Sequence, residues 1–198
     1  MADNAPGIDV SSYQSVLTRT DLDGLSFVFT KASDETATDP NFAANWAVLK
    51  SAGMHRGAYH ELQGGSAGPQ ADHFLSVVKA AGLEAGDMLA VAASDYSGVT
   101  DAEVKAWCDQ VQAAAHLSPV LVYSDLSIAA TLTSCTKYDL WVAWPNPENR
   151  PATVGPRTPS CCYHHPCRSQ VPPITHAPAR PRRHSGLCHI HRPGVRWM

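Results

Sequence analysis

Asp9 is the first residue of this chain whose type and position suggest chemistry. It lies within a short apolar run at residues 7–10 and is followed by the polar stretch at residues 11–14. An acid between apolar neighbours over so few positions is typical of a buried strand rather than of a helix. An unpaired carboxylate on such a strand is costly, so Asp9 needs either a partner or a function. Asp9 is therefore a candidate catalytic acid, and a structural carboxylate with satisfied partners is the alternative.

Further charged and aromatic residues stand where later strand-like segments end. Carboxylates bind sugar hydroxyls or carry out acid–base chemistry, and aromatic rings stack on the faces of pyranose rings. A set that combines both types suits a sugar-binding site. The alternative is that aromatic residues at strand ends plug the mouth of the fold. Besides Asp9, the candidates are Tyr13, Lys31, Tyr59, Glu61, Asp95, Tyr123 and Trp144.

The segments that must position these residues alternate between strand-like and helix-like patterns. Asp39 and Pro40 predict the start of a helix that Gly53 ends, and residues 100–103 form a capping box before another helix. Alternating β and α units predict an α/β fold with a parallel sheet. The strand-like runs are 7–10, 25–31, 55–62, 88–93, 119–123 and 139–144, and the helix-like runs are 39–53, 69–81 and 100–116.

This alternation predicts a TIM-like β/α barrel. About six strands are two short of the eight that close such a barrel, so we expect it to be incomplete at the C-terminus. Functional groups of these barrels gather at the C-terminal ends of the strands, which is where the candidate residues fall.

A change in composition divides the chain of 198 residues. Residues 1–156 contain 8 Lys and Arg against 18 Asp and Glu, a formal charge of −10, whereas residues 157–198 contain 7 Arg, no Lys and no acid. The second part also holds 4 of the 6 cysteines and 6 of the 10 histidines. Such a shift marks a boundary. We therefore expect a barrel domain at 1–156 and a separate tail at 157–198.

The N-terminus and the apolar content constrain where the protein acts. With 44% apolar residues the chain can bury a core, and it has no apolar run of about 18 residues that would span a membrane. Its first six residues lack the basic and apolar regions of a secretory signal. A protein that acts on the cell wall would then depend on phage-type release by lysis, unless a leader has been lost.

Several segments resemble, in the same order, the family 25 glycoside hydrolases, which are lysozyme-like muramidases. Together they span residues 7–144. The family's patterns D-x-S-x-Y/W-Q, F-x-x-x-K-A, D-x-x-F-x-x-N, G-x-Y-H and Q-A-x-x-F match segments 9–14, 27–32, 39–45, 57–60 and 70–74, and segments 120–124 and 140–144 resemble its fifth and sixth strands. The resemblance implies hydrolysis of the β-1,4 bond between N-acetylmuramic acid and N-acetylglucosamine in peptidoglycan.

The chain departs from the family on the fourth strand. The family carries a D-x-E pair there, with the Glu as general acid, but alignment on the segment 95–98 places Ala92 and Ser94 at these positions. Sliding the alignment by two residues places Ala90 and Ala92 there instead. Asp95 is the nearest carboxylate, so Asp9 and Asp95 form a candidate replacement pair. The alternative is that Asp95 caps the turn that follows it.

The resemblance thus predicts a glycosidase that acts on bacterial peptidoglycan, with activity impaired in this copy. Asp9 and Asp95 are the expected catalytic residues, and Tyr13, Lys31, Tyr59, Glu61, Tyr123 and Trp144 the expected substrate-binding residues. The alternative is a catalytically silent module that binds peptidoglycan or another carbohydrate. We expect a monomer that acts outside the cell or at the cell wall, with no metal, no organic cofactor and no nucleic-acid partner.

The tail admits three interpretations. Its Cys and His residues are metal ligands by type, but their spacing matches no standard zinc module. Its arginines could bind nucleic acid or an anionic wall polymer. The third and favoured interpretation is a shifted reading frame of G+C-rich DNA, with a disordered tail, because the tail lacks a sustained apolar pattern. In the barrel domain, Cys108 and Cys135 either form a disulfide or remain buried thiols.

Overall fold

The computed structural model describes residues 5–94, 97–116, 118–143 and 188–190. Its strands are β1 (Ala5–Val10), β2 (Phe27–Asp34), β3 (Ala37–Thr38), β4 (His55–Glu61), β5 (Met88–Ala93), β6 (Val120–Asp125), β7 (Asp139–Ala143) and β8 (Cys188–Ile190). Its helices are α1 (Phe42–Ala52), α2 (Ala67–Ala80), α3 (Asp101–Ala114) and α4 (Leu126–Ala129), and a 3-10 turn spans Arg19–Leu22.

All eight strands belong to one curled sheet. The order is β7-β6-β5-β4-β2-β1-β8, with β3 paired to β2 as a short hairpin. The strands β1, β2, β4, β5, β6 and β7 run parallel to their neighbours, whereas β3 and β8 pair in antiparallel fashion. Six parallel strands with intervening helices confirm the predicted α/β fold with an incomplete TIM-like barrel.

The two faces of the sheet have different neighbours. On the outer face, Ile8 and Val10 of β1 pack in one cluster with Leu49 of α1. On the inner face, a second cluster is built around Phe29, Leu121 and Trp141, and its other buried members are Phe27, Met88 and Ala90. Because successive side chains of a strand point to opposite faces, Asp9 is directed to the inner face.

Helix termini agree with the sequence at α3 and at the end of α1, whereas the starts of α1 and α2 differ. The helix α2 begins at Ala67 rather than at Pro69. Gly53 ends α1 in the left-handed conformation with a φ of 68°, and Thr100 and Glu103 form the expected capping box of α3. The helix α1 begins at Phe42 rather than at Pro40. Asp39 still satisfies a backbone group at this end, since its Oδ1 accepts from the Asn41 N–H at 2.9 Å.

Cys108 and Cys135 are both buried and free. The structure therefore has two buried thiols here rather than a disulfide. Burial and then the nearby Cys135 hold the pKa of the Cys108 thiol well above its ordinary value. A thiol that stays protonated is a poor nucleophile, so Cys108 acts here as a small core residue.

Residues 188–190 form a strand, although the tail is expected to be disordered. The strand β8 pairs with β1, with Ala5 opposite Ile190 and Gly7 opposite Cys188. The first strand of a parallel sheet has unpaired backbone groups along one edge, and an added antiparallel strand satisfies them. The remaining tail residues lie outside the described ranges, so the domain boundary at 156/157 and the three interpretations of the tail stay predictions.

Candidate functional site

The C-terminal ends of the parallel strands bring several of the candidate residues to one edge of the inner face. Lys31 on β2 is opposite Tyr59 on β4, and Glu61 is in register with Ala92 on β5, which in turn pairs with Tyr123 on β6. Residues in register on parallel strands point to the same face. We call this edge the mouth of the barrel; it comprises Asp9, Lys31, Tyr59, Glu61 and Tyr123.

A β-bulge adds Asp34 to the mouth. The pairing of β2 with β4 shifts between Lys31 and Ser33, so that Asp34, rather than Ser33, becomes the register partner of Glu61. An extra residue in one strand re-aims the side chains that follow it. The bulge thus places the carboxylates of Asp34 and Glu61 on either side of the Lys31 ammonium.

Lys31, Asp34 and Glu61 form an ion cluster, which we call the Lys31 cluster. Lys31 Nζ lies 2.7 Å from Asp34 Oδ2 and 3.5 Å from Glu61 Oε2. Burial by itself would lower the pKa of Lys31, but the hydrogen bond to Asp34 and the charges of both acids outweigh it, and the pKa lies above its ordinary value. Lys31 is therefore a permanently charged partner for the two carboxylates.

Tyr59 connects the Lys31 cluster to Asp9. Burial, followed by the charges of Asp9 and Glu61, holds the pKa of the Tyr59 phenol well above its ordinary value, and a hydrogen bond with Ser11 opposes this only in part. Two negative side chains therefore lie close enough to Tyr59 to act on it. The phenol stays protonated and is a hydrogen-bond group of the mouth rather than an acid.

The strand β5 contributes small side chains to the mouth. Ala92 is flanked in register by Glu61 and Tyr123. Beyond it, Ser94 Oγ donates to Glu61 Oε1 at 3.3 Å. Asp95, the expected partner of Asp9, lies outside the described residues, so the replacement pair and the alternative of a turn cap both stay predictions.

The turn after β5 is fixed against the loop after β4. The Ser97 N–H and hydroxyl both donate to the Ser94 carbonyl, at 3.1 and 2.6 Å. The Gly64 N–H donates to the Ser97 carbonyl at 2.8 Å, and a Cβ at Gly64 would lie 2.8 Å from the Gly98 oxygen. Only glycine allows this approach of the two loops.

Tyr13 lies on an exposed loop beside the mouth. Its side chain is 77% exposed. The loop is held by Asp39 Oδ2, which accepts from the Ser12 N–H at 2.9 Å, and by Asn41 Nδ2, which donates to the Gln14 carbonyl at 2.9 Å. A large aromatic side chain in solvent on a fixed loop is a suitable platform for a sugar ring.

The other aromatic candidates differ in position. Tyr123 makes an edge contact with Trp141, with ring centroids 4.8 Å apart, and Trp141 lies 4.5 Å from Phe29. Tyr123 thus borders the inner cluster while remaining partly exposed. Trp144 lies outside the described residues, and its role stays a prediction.

His60 lies between two mouth residues in sequence but faces the opposite side of the sheet. Its Nδ1 is 2.9 Å from Ser33 Oγ, its Nε2 is 3.2 Å from Gln70 Oε1, and its ring stacks on Trp107. Gln70 Nε2 donates to the Gln63 carbonyl, so Gln70 Oε1 is an acceptor and the His60 proton is on Nε2. Burial lowers the pKa of His60 to about 4, which keeps the ring neutral.

Sequence reasoning missed the residues that hold the mouth together. Gln63 Nε2 donates to Asp34 Oδ1 at 2.9 Å, and Ser11 hydrogen-bonds to Tyr59. The matched D-x-S pattern contains Ser11, so that signal was available. Nothing in the sequence indicates the contact of Gln63, because it depends on the bulge in the neighbouring strand.

The mouth combines carboxylates, one ammonium, hydroxyls and aromatic rings. Elsewhere in the described ranges, none of the helices has the length and apolar character that a membrane crossing requires. In the same ranges, no group of three or more His, Cys, Asp or Glu side chains could hold a metal ion.

The chain is similar to known proteins over most of its length. The model of the glycosyl hydrolases family 25 matches residues 8–158. The uncharacterized protein YegX of Escherichia coli O157:H7 is 31% identical over 152 residues, which is 69% of this chain and 55% of that protein. The chain thus spans about half the length of the curated relatives it matches.

Solved structures show the same fold at low sequence identity. The catalytic domain of endolysin ply40 from bacteriophage P40 of Listeria monocytogenes has a TM-score of 0.69 at 20% identity, covering 96% of this chain and 94% of that one. The bacterial lysozyme from Streptomyces coelicolor has a TM-score of 0.65 at 22% identity, covering 96% and 91%. At such identities the likeness extends to the fold alone.

Proposed function

The chain belongs to the glycosyl hydrolases family 25, and from this premise we propose that it is a lysozyme-type glycosidase of bacterial peptidoglycan. The proposed reaction is hydrolysis of the β-1,4 bond between N-acetylmuramic acid and N-acetylglucosamine. The observation that supports it best is the mouth itself, where Lys31, Tyr59, Glu61 and Tyr123 lie on one face at the C-terminal ends of paired strands. β/α barrels carry their active sites at this end.

The proposed catalytic residues are Asp9 and Asp95. Glycoside hydrolysis needs a proton donor for the leaving oxygen and a second group that supports the oxocarbenium-like transition state. Asp9 is directed to the inner face on a strand whose other side is packed on α1. Asp95 follows Ser94 at the end of β5 and could reach the same edge only if the chain turns inward there.

The proposed substrate-binding residues surround these acids. Tyr13, Tyr59, Tyr123 and Trp144 supply rings for the sugar faces, and Glu61 accepts hydrogen bonds from hydroxyl or acetamido groups. Lys31 acts by holding the carboxylates beside it. The pneumococcal autolysin LytC has been solved with a synthetic peptidoglycan ligand and shares this fold, with a TM-score of 0.65 at 16% identity. We therefore propose peptidoglycan as the partner and the cell wall as the place of action, with a monomeric protein.

A second candidate function is a peptidoglycan-binding module without catalysis. Ala92 and Ser94 stand on β5 where the family's acid pair belongs, and a serine hydroxyl is a poor general acid. Loss of a well-placed acid lowers a rate by about 10²- to 10⁴-fold. This departure favours weak activity, and complete loss would leave binding alone.

Release of muropeptides from purified sacculi separates the two functions. Wild-type protein should release muropeptides slowly and co-sediment with sacculi, and Asp9→Asn and Asp95→Asn should each abolish release while leaving co-sedimentation unchanged. The matched control is Asp23→Asn, an exposed aspartate at the other end of the sheet, which should change neither. Co-sedimentation without release by the wild type would identify the binding module, and absence of both would contradict the peptidoglycan assignment.

A further inference from the structure

Glu61 reaches from its own strand to the neighbouring one. Its Cα is in register with Ala92, yet its carboxylate accepts from the hydroxyl of Ser94, which lies two residues further along the chain, just past the end of β5. Ala92 carries only a methyl group and therefore leaves this path open. The carboxylate of Glu61 thus lies beside the side chain at position 94, although β5 itself has no acid among its described residues.

The Lys31 ammonium holds the Glu61 carboxylate at this edge. Asp34 Oδ2 lies 2.7 Å from the Lys31 ammonium, whereas Glu61 Oε2 lies at 3.5 Å. The tighter contact of Lys31 is thus with Asp34, and its looser contact fixes the position of Glu61.

The surroundings of Glu61 fit a sugar. Tyr123 lies on the far side of Ala92, two strands away, a separation of about 10 Å at the usual strand spacing. The Glu61 side chain is 18% exposed, so it can be reached from solvent. An aromatic ring and a carboxylate on either side of a methyl group form a slot for a ring with hydroxyl groups.

We propose that Glu61 is a catalytic carboxylate of this barrel and that Lys31 is its positioning residue. This inference rests on the proposed hydrolase function. When the glycosidic bond breaks, its electron pair leaves with the bridging oxygen, which takes a proton from the carboxylic acid of Asp9. The positive charge that develops on the sugar ring faces the carboxylate of Glu61. Water then adds to the anomeric carbon and returns a proton to Asp9.

Steady-state hydrolysis of a soluble peptidoglycan fragment by Glu61→Gln tests the proposal. Glutamine keeps the shape and the hydrogen bond from Ser94 but removes the charge. Loss of one preorganised electrostatic group costs about 10²- to 10³-fold in rate. We expect kcat to fall at least about 100-fold, with KM and co-sedimentation with sacculi changed less than about threefold.

The matched control is Glu84→Gln. Glu84 is also a glutamate in contact with a lysine, Lys50, but it lies at the opposite end of the sheet. We expect its kinetics to equal those of the wild type. Lys31→Met should lower kcat by a smaller factor than Glu61→Gln does and leave KM unchanged, whereas Lys31→Arg, which keeps a cation beside Glu61, should restore most of the rate. A purely structural lysine would lower stability in Lys31→Met without this split between kcat and KM.

The possible outcomes distinguish this proposal from the function on which it rests. Unchanged kcat in Glu61→Gln, with the wild type active, contradicts the role of Glu61 alone. A wild type without turnover contradicts the hydrolase and the catalytic role of Glu61 together. If Glu61→Gln does not fold, as judged by circular dichroism, Glu61→Asp replaces it. Retention of the charge there should preserve more activity than Glu61→Ala, and equal loss in both overturns the proposal.

Discussion

Two ion clusters lie at opposite ends of the sheet, and they satisfy their charges in different ways. At the N-terminal end, the Arg56 cluster comprises Arg56, Glu84 and Asp87. Arg56 Nε and Nη2 donate to the two Asp87 oxygens at 2.8 and 2.9 Å, and the guanidinium lies 4.1 Å from the Trp46 ring centre. Arg56 Nη2 also lies 3.1 Å from Glu84 Oε2. At the mouth, the ammonium of the Lys31 cluster contacts its two acids, at 2.7 and 3.5 Å, as a single point charge without a planar fork.

Exposure separates the central pair of the first cluster from the acids of the second. The Arg56 and Asp87 side chains are 3% and 10% exposed, with Glu84 on their solvent side at 54%, whereas Asp34 and Glu61 are 42% and 18% exposed. A planar guanidinium that is bidentate to one carboxylate and stacked on an indole has its donors committed. The Arg56–Asp87 pair therefore stabilises the fold, while the acids of the Lys31 cluster remain accessible to a ligand. This is the usual division of a β/α barrel.

The strongest test of this contrast is Arg56→Ala. Removal of one partner from a buried ion pair leaves Asp87 uncompensated and costs about 3–5 kcal/mol. We expect this loss in the free energy of unfolding, measured by urea denaturation. Lys31→Ala should cost about 1 kcal/mol, because its partners are more exposed. Equal losses in the two variants would break the comparison.

Acids introduced at positions 92 and 94 test whether the absence of the family's acid pair limits the rate of hydrolysis. Ala92→Asp combined with Ser94→Glu should raise the rate of muropeptide release by about 100-fold, because a well-placed general acid contributes about 10²- to 10⁴-fold. The matched control, Ala92→Asn with Ser94→Gln, has the same shapes without the charges. It should not exceed the wild-type rate. A rate that does not rise with the acids would contradict the interpretation of an impaired site.

A pH titration tests the buried His60. This residue lies on β4, the strand that carries Arg56 at one end and Glu61 at the other. The folded-state pKa of His60, about 4, is below the ordinary value of 6.5, so the unfolded chain binds the proton first as the pH falls. The contribution of His60 is complete above pH 6.5 and is lost as the pH falls toward 4. Between pH 7.5 and 5 we expect a loss of about 2 kcal/mol in unfolding free energy.

The control for this titration is His60→Gln, which has no titrating group at the site. Urea denaturation of this variant should show a pH dependence smaller than that of the wild type by the same amount. Other groups titrate in both proteins, so the difference between them isolates His60. An identical pH dependence in wild type and variant would show that the pKa of His60 is the same in the folded and unfolded states, which contradicts the lowered folded-state pKa.

The smallest effect concerns the hairpin beside the Lys31 cluster. Glu35 has a φ of 50°, and its N–H donates to the Glu61 carbonyl at 3.2 Å. A non-glycine residue in this region is strained by about 1–2 kcal/mol. Glycine removes this strain, but it also raises the conformational entropy of the unfolded chain, which offsets part of the gain in stability. Glu35→Gly should therefore raise the melting temperature slightly, corresponding to about 0.5–1 kcal/mol. The neighbouring Thr36→Gly, without a positive φ, should lower it.

Much of the fold followed from local signals in the sequence. The capping box at 100–103 and the glycine that ends α1 act within a few residues, and the structure confirms both. Asp125 caps α4, accepting from the N–H groups of Ser127 and Ile128 at 2.8 and 3.0 Å. The order of the family-like segments was sufficient for the barrel.

The sequence by itself determined which residue types reach the C-terminal ends of the strands, including Asp9, Lys31 and Glu61. Only the tertiary structure decided which of them meet. The bulge in β2 brings Asp34 beside Glu61, and the register of β4 with β5 brings Glu61 to Ser94. Pairing between strands is fixed by packing across the whole sheet, and a shift of one residue would send these side chains to the other face. Local sequence patterns do not determine the register between neighbouring strands.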